Sequence, residues 1–247
     1  MVIIKKPLYS IRVYYDKLRI TDIFKSIYFE NYQGKGSIPF YYKRFNGNTI
    51  MLDLTQTEEE ILAGMKSNTR NEIRRAEKEG CTFAYDQDYE SFVPFYNDFS
   101  YSKGLNDYMH LDRLKKYKNT IITKVYHEGK VLAMHATAFD DDLHYAYLLY
   151  SCSPRLDETI DRKLVGWANR YLHYMDFKLF KSMGYSKYDW SGVCLDESKP
   201  DRYKIGQFKA SFGGEPIDTI TLMTPLFVMM NALKAFAYKF VGVFRKK

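Results

Sequence analysis

The sequence predicts an α/β fold, a mixed sheet with helices on both faces, and three observations carry that expectation. Residues 144–153 (HYAYLLYSCS) are rich in β-formers and read as a strand. Residues 159–183 place Ile160, Leu164, Trp167, Ala168, Tyr171, Met175 and Leu179 at helical spacing, and Gly184 follows as a stop. Residues 187–193 (KYDWSGV) form a second strand. A helix of that length between two strands makes them parallel neighbours, because parallel pairing needs a crossover.

Taken in order, residues 1–48 contain the strand-like runs IRVYYD and IPFYYKRF, punctuated by Gly34, Gly36 and Gly47, without a pattern that arranges them. Residues 49–54 read as a strand. Thr57 caps a helix with Glu58, Glu59 and Glu60 at its positive end, an apolar stripe of Ile61, Leu62, Met65, Ile73 and Ala76, and a stop at Gly80. Another face of that helix carries Arg70, Arg74 and Lys78. That face is open to two readings, a solvated charged surface or an anchor for a phosphate or carboxylate. A strand at 81–86 and helices at 89–101 and 111–118 come next. Strands at 120–127, 131–139 and 144–153 are joined by the turns His127-Glu-Gly-Lys130 and Asp140–Asp142, which makes them an antiparallel meander. After the long helix and the KYDWSGV strand come a short helix at 200–212 and a last strand at 217–223. The expected organisation is an N-terminal extension over 1–80, the main domain over 81–224 and an amphipathic basic helix over 225–247.

The 247 residues suit one large domain, or one domain with a subdomain, and 46% apolar content excludes a disordered chain. Cys81, Cys152 and Cys194 are too few and too scattered for a disulfide framework or a metal pattern, which points to a reducing compartment. The first residues lack the apolar run of a secretory signal, so a cytoplasmic protein is expected. Of the net charge of +7, residues 225–247 supply five basic and no acidic residues, leaving 32 against 30 elsewhere. A nearly neutral body argues against a DNA-binding surface. The apolar tail is long enough to span a bilayer, but Lys234 and Lys239 would each cost about 2.5–3.5 kcal/mol at its centre. Asn231, Lys234, Tyr238 and Arg245 share one stripe, which fits a helix lying on an anionic membrane surface; packing on the domain or on a second subunit is the alternative.

The sharpest chemical signal is in the short helix. At about 100° per residue, Lys209 falls on the same side as Ile205, Phe208 and Phe212. An ammonium there either snorkels to water or sits in a cleft where it can stabilise a developing oxyanion. The five histidines show no ligand spacing, so no metal is expected; nor is there a nucleophile elbow or a phosphate-binding loop. That is consistent with direct attack of an acceptor amine on an activated acyl group.

Two stretches carry a family resemblance: SNTRNEIRRAEKEG at 67–80, and YDWSGV followed by IGQFKASFGGEP within 188–216. With the order of elements, which is that of the GNAT (N-acetyltransferase-like) fold, they resemble the FemABX-like branch of that superfamily over roughly residues 50–224. The branch includes aminoacyl- and peptidyltransferases of cell-wall synthesis. The resemblance implies that Phe208 and Lys209 belong to the acyl-transfer site, with Lys209 stabilising the tetrahedral oxyanion. Asp189 is then a candidate for orienting or deprotonating the amine, or for a structural hydrogen bond to the neighbouring loop. Trp190, Arg70 and Arg74 complete the candidate substrate-binding set. The chain departs from the cell-wall transferases in having one GNAT unit at most. In place of the usual coenzyme A loop, residues 153–162 (SPRLDETIDR) offer no glycine and three acidic residues.

The expected activity is an N-acyl- or aminoacyltransferase forming an amide on an amine of a cell-envelope precursor (peptidoglycan, lipopolysaccharide or capsule). Acyl-CoA or aminoacyl-tRNA is the co-substrate, and the acceptor is a small, lipid-linked or nucleotide-linked amine. Its expected place is peripheral, at the inner face of the membrane. The alternatives are a non-catalytic binding module at a membrane surface, and RNA binding without catalysis.

Overall fold

A computed structural model describes residues 2–14, 16–115, 117, 119–154 and 159–244, with side chains for all of these except 2 and 237–244. Strands β1 (Val2–Lys5), β2 (Ser10–Val13), β3 (Ile27–Glu30) and β4 (Lys43–Asp53) precede helices α1 (Glu58–Gly64) and α2 (Ser67–Lys78). Then follow β5 (Thr82–Asp86), α3 (Tyr89–Ser102), α4 (Leu111–Lys115), β6 (Thr120–His127), β7 (Lys130–Asp140) and β8 (Tyr145–Cys152). The chain continues through α5 (Arg162–Ser182), β9 (Lys187–Asp189), α6 (Pro200–Ala210), β10 (Glu215–Met223) and α7 (Pro225–Phe244). From residue 81 onward the elements follow the expected order. The long helix begins at Arg162 rather than at residue 159, and the end of the 111–118 helix falls partly outside the described residues.

The chain forms two compact units, Asn48–Ile217 and Met1–Gly47 with Asp218–Lys247. Residues 48–80, expected with the N-terminal extension, belong to the larger unit. The physical reasons are pairing of β4 with β9 (Met51 opposite Asp189) and packing of α2 on α5.

In the larger unit β5, β6, β7 and β8 form an antiparallel meander, and β8 and β9 are parallel, as a helical crossover requires. Successive residues of β7 face opposite sides. Ala133 packs with Val165, Ala168 and Leu172 of α5, while Met134 and Ala136 pack with Phe92 and Tyr96 of α3. Helices therefore cover both faces of the sheet, and the fold is mixed α/β as the sequence predicts.

Three local expectations are corrected. The helix from Thr57 to Gly80 breaks into α1 and α2. Thr57 caps α1 through a capping box, but Met65 is extended and the Lys66 N–H donates to Ser211 O at 2.9 Å. The run IPFYY is a turn, with Tyr42 N donating to Pro39 O, and the strand there begins at Lys43. On α5, Ala168 and Leu179 are buried as expected, but the centre of the buried face is rotated from the rest of the stripe. Its centre holds Val165, Leu172, His173, Asp176, Phe177 and Phe180, while Trp167, Tyr171 and Met175 lie at its margin.

The glycine pair after Phe212 is explained by backbone approach. Gly213 and Gly214 have φ of +83° and +85°, and a Cβ on Gly214 would stand 2.8 Å from Met51 O. Gly214→Ala thus combines a left-handed conformation with a clash against a strand carbonyl, and is expected to cost about 2 kcal/mol or more. Urea denaturation checks this; a midpoint equal to that of the parent would refute it.

In the smaller unit β2 pairs with β1 antiparallel and with β3 parallel, and β3 pairs antiparallel with β10 (Leu222 opposite Phe29). Its core is Ile27, Phe29, Tyr32, Tyr42 and Leu222. The buried Asp22 accepts two bonds from Arg12, 3.2 and 3.3 Å long.

Candidate active site

Strands β8 and β9 are paired for three residues only, Tyr145–Lys187, Ala146–Tyr188 and Tyr147–Asp189, and then part. An irregularity in the β7–β8 register beyond Leu148 re-aims the end of β8. The fork is bridged by the Ser191 hydroxyl, which donates to Leu148 O at 2.6 Å. Ser191 itself is left-handed, with φ of +51°, and turns the chain away from the sheet. A cleft of about 490 Å³ opens there, at the carboxyl ends of parallel strands where α/β folds commonly bind ligands.

Helix α6 forms one wall. It approaches closely because Gly206 has no side chain; a Cβ there would stand 2.6 Å from Cys194 O. Ile205, Phe208 and Lys209 face the cleft together, so the side of α6 that looked like a core stripe is a cleft wall, and Ile205 is more than half exposed. The Lys209 ammonium does not reach for bulk water. Its Nζ donates to Trp190 O (2.7 Å), Ser191 O (2.7 Å) and Gly192 O (3.0 Å). An ammonium has three donors, and all three are used. Burial pushes its pKa down to about 8, against the opposing pull of the Asp189 carboxylate.

Asp189 is fully buried and does not line the cleft. Its Oδ1 accepts from the Ser191 backbone N–H at 2.7 Å and from the Thr49 hydroxyl. This is the bond to the neighbouring loop weighed as its alternative role. Phe208 and Trp190 line the cleft beside Lys209. Arg70 and Arg74 are not brought there. The Arg70 guanidinium donates to Ala63 O (3.2 Å) and Met65 O at the end of α1, and Arg74 is exposed on α2.

Sequence reasoning missed residues at the cleft wall and behind it. Asn169, His173 and Asp176 of α5 are spaced i, i+4 and i+7, which aligns them on the buried face. That spacing, in phase with Val165, Leu172 and Phe180, is the signal that could have found them. Asp176 Oδ2 lies 2.6 Å from His135 Nδ1, His135 Nε2 lies 3.2 Å from Asn169 Oδ1, and the Ser151 hydroxyl reaches the same oxygen at 3.4 Å. A chain of polar groups therefore runs from a fully buried carboxylate to two residues of the cleft wall. His173 is packed among His135 (ring centroids 4.1 Å apart), Trp190 (4.6 Å) and Phe212 (5.2 Å). Burial, with the nearby His135, Lys209 and Arg170, drives its pKa well below the usual imidazole value, so it is neutral.

The ligand-capable atoms of His135, His173 and Asp176 lie within 4.8 Å of one another. The two imidazoles pack against each other at a 35° tilt, however, and His135 already engages Asp176, an arrangement of a hydrogen-bonded chain rather than of a chelate. Burial raises the Cys152 thiol, also in the cleft, far above its ordinary pKa, which makes it a poor nucleophile. The cations lining the cleft are Lys103, Lys204 and Lys209, and no carboxylate is among the described lining residues.

No protein-family model and no curated protein matches the sequence. Solved structures do match in fold. FemX superposes with a TM-score of 0.66 over 94% of this chain and 85% of its own, at 12% identity. L-PGS from Bacillus licheniformis gives 0.59 over 90% and 80%, also at 12% identity. The C-terminal domain of a candidate lysylphosphatidylglycerol synthetase from Agrobacterium fabrum gives 0.56 over 85% and 72%, at 14% identity. The chain thus shares its fold with FemX and L-PGS.

Proposed function

We propose that the protein is a transferase that moves an aminoacyl group from aminoacyl-tRNA to an amine of a cell-envelope precursor. The observation that carries this reading is the β8–β9 fork with Lys209 clamped across it, in a fold shared with FemX and L-PGS. In the reaction the acceptor amine attacks the ester carbonyl and a tetrahedral oxyanion forms. The carbon–oxygen ester bond then breaks, and the proton lost by the amine ends on the leaving hydroxyl. Lys209 stabilises the oxyanion by its charge and by giving up its longest bond, that to Gly192 O, for one to the substrate oxygen. Asp189 holds the 190–192 turn in place and balances the lysine charge. Phe208 and Trp190 form the apolar wall against the acyl group. Lys103 and Lys204 suit the phosphates of the donor, a polyanion in either tRNA or coenzyme A.

Thermal stabilisation by charged tRNA, uncharged tRNA, acyl-CoA and nucleotide-linked amino sugars tests the reading. A donor at 100 times its dissociation constant stabilises by about 2.7 kcal/mol. Charged tRNA is expected to shift the transition. A shift with coenzyme A thioesters alone would replace the donor, and silence across the panel would overturn the reading in favour of a non-catalytic module.

A further inference from the structure

The smaller unit holds a surface that transfer chemistry does not use. Helix α7 packs on β3 and on the 3-10 helix Ile20–Phe24. Its inward side is fixed by Phe227, whose ring meets Tyr9 at 5.2 Å and Tyr28 at 5.6 Å, and by Lys234, whose Nζ stands over Tyr9 at 5.6 Å. Of the polar stripe expected to face an anionic surface, Asn231 and Lys234 are exposed, Lys234 with its ammonium over Tyr9, while Tyr238 and Arg245 lie outside the described side chains.

The outward side is apolar. Met229, Leu233 and Phe236, spaced i, i+4 and i+7, are 53%, 61% and 62% exposed. Beside them on the 3-10 helix, Ile20 and Phe24 are each 82% exposed and are flanked by the exposed Arg19 and Lys25. Large side chains exposed in this way on two elements that pack together give the unit an apolar surface of the kind that marks a contact site.

The charge of the unit identifies the partner. Met1–Gly47 has nine basic and three acidic residues, and Asp218–Lys247 has five and one, so this unit carries +10. The remaining 23 basic and 26 acidic residues leave Asn48–Ile217 at −3. The nearly neutral body expected from the sequence conceals this separation. An isologous contact between two copies would bring two +10 units together, which charge repulsion opposes. An RNA partner would meet the basic groups but leave Ile20, Met229 and Leu233 without chemistry. Apolar prongs ringed by cations are what an anionic bilayer accepts, with the apolar groups in the acyl boundary and the cations at the phosphates.

We infer that α7 and the 3-10 helix Ile20–Phe24 form one composite docking face for anionic phospholipid membranes. This goes beyond anchoring by the tail, because it assigns half of the face to the N-terminal segment. No helix among the described residues is long and apolar enough to cross a membrane, so the contact is interfacial.

The test is co-sedimentation of the full chain with phosphatidylcholine vesicles, and with vesicles of phosphatidylcholine and phosphatidylglycerol at about three to one. Binding is expected to the mixed vesicles only, and to weaken as NaCl rises from about 0.1 M to about 1 M, where screening shortens to ~3 Å. Two variants, Leu233→Glu with Phe236→Glu and Ile20→Glu with Phe24→Glu, should each weaken binding by about tenfold or more. All four sites are exposed, so far-UV circular dichroism should be unchanged. Full binding by the Ile20/Phe24 variant would overturn the composite face. Absence of wild-type pelleting would overturn the membrane itself; a concentration-dependent dimer abolished by Leu233→Glu would then identify a second copy as occupant, and loss of tRNA binding in the same variants would identify RNA. Vesicle binding reads this surface without any turnover, so its failure is distinct from failure of the transferase reading.

Discussion

Lys209→Ala is expected to lower transfer by about 100-fold or more, with the fold retained. The side chain supplies the cation at the β8–β9 fork and spans three consecutive carbonyls at 2.7, 2.7 and 3.0 Å. Its loss therefore removes both the charge proposed to face the oxyanion and the clamp on the turn that shapes the cleft. Lys209→Arg should not restore activity, because a planar guanidinium cannot place three donors on three carbonyls from the same stem. A pH profile separates charge from shape. With its pKa at about 8, the lysine is charged below that pH, so turnover dependent on the cation should fall as pH rises through about 8. Linkage has a definite sign here. The folded-state pKa lies below the ordinary lysine value of about 10.4, so between those pH values the unfolded chain holds the proton more tightly, and this group makes stability rise with pH. Lys209→Ala should lose that rise. Unchanged turnover in the alanine variant, measured as kcat/KM with the donor found by thermal shift, would remove Lys209 from the mechanism.

Asp176→Ala should be the most destabilising of the substitutions considered, by about 3–5 kcal/mol. Asp176 and His135 are both fully buried and meet at 2.6 Å, and removing the carboxylate leaves the imidazole without its partner inside the core. Asp176→Asn keeps the shape and one hydrogen bond, and should cost less. The loss should appear as a lower urea midpoint with an unchanged slope, which distinguishes lost stability from a changed unfolded state. Because His135 also reaches Asn169, the asparagine variant should perturb KM more than it perturbs stability. A loss below about 1 kcal/mol for Asp176→Ala would mean that water substitutes freely for the carboxylate.

Part of the site was legible in the sequence. Lys209, Phe208 and Trp190 meet in one cleft, as their motifs and the helical phase of Lys209 imply. Arg70 and Arg74 follow the same kind of reasoning and fail, because helical spacing places charges on one face without saying what that face meets. Arg70 meets the carbonyl end of α1 instead. His135 and Asp176 stand 41 residues apart, and no local pattern pairs them. No ligand spacing marks His173 in the sequence, yet it is packed against Trp190 at the cleft.

The sequence by itself determined the elements from residue 81 onward, their order, and the parallel placement of β8 and β9. Each of these depends on local periodicity, turn residues and the length of the crossover helix, which neighbouring residues encode. Only the tertiary structure decided that α1 and α2 break at Met65, where the Lys66 N–H goes to Ser211 O, 145 residues away in sequence. It alone paired β10 with β3 and so joined the N-terminal segment to the C-terminal helix, separating a +10 unit from a −3 unit. Charge summed along a chain cannot reveal such a separation, because the residues that share a surface are chosen by strand pairing across nearly 200 positions.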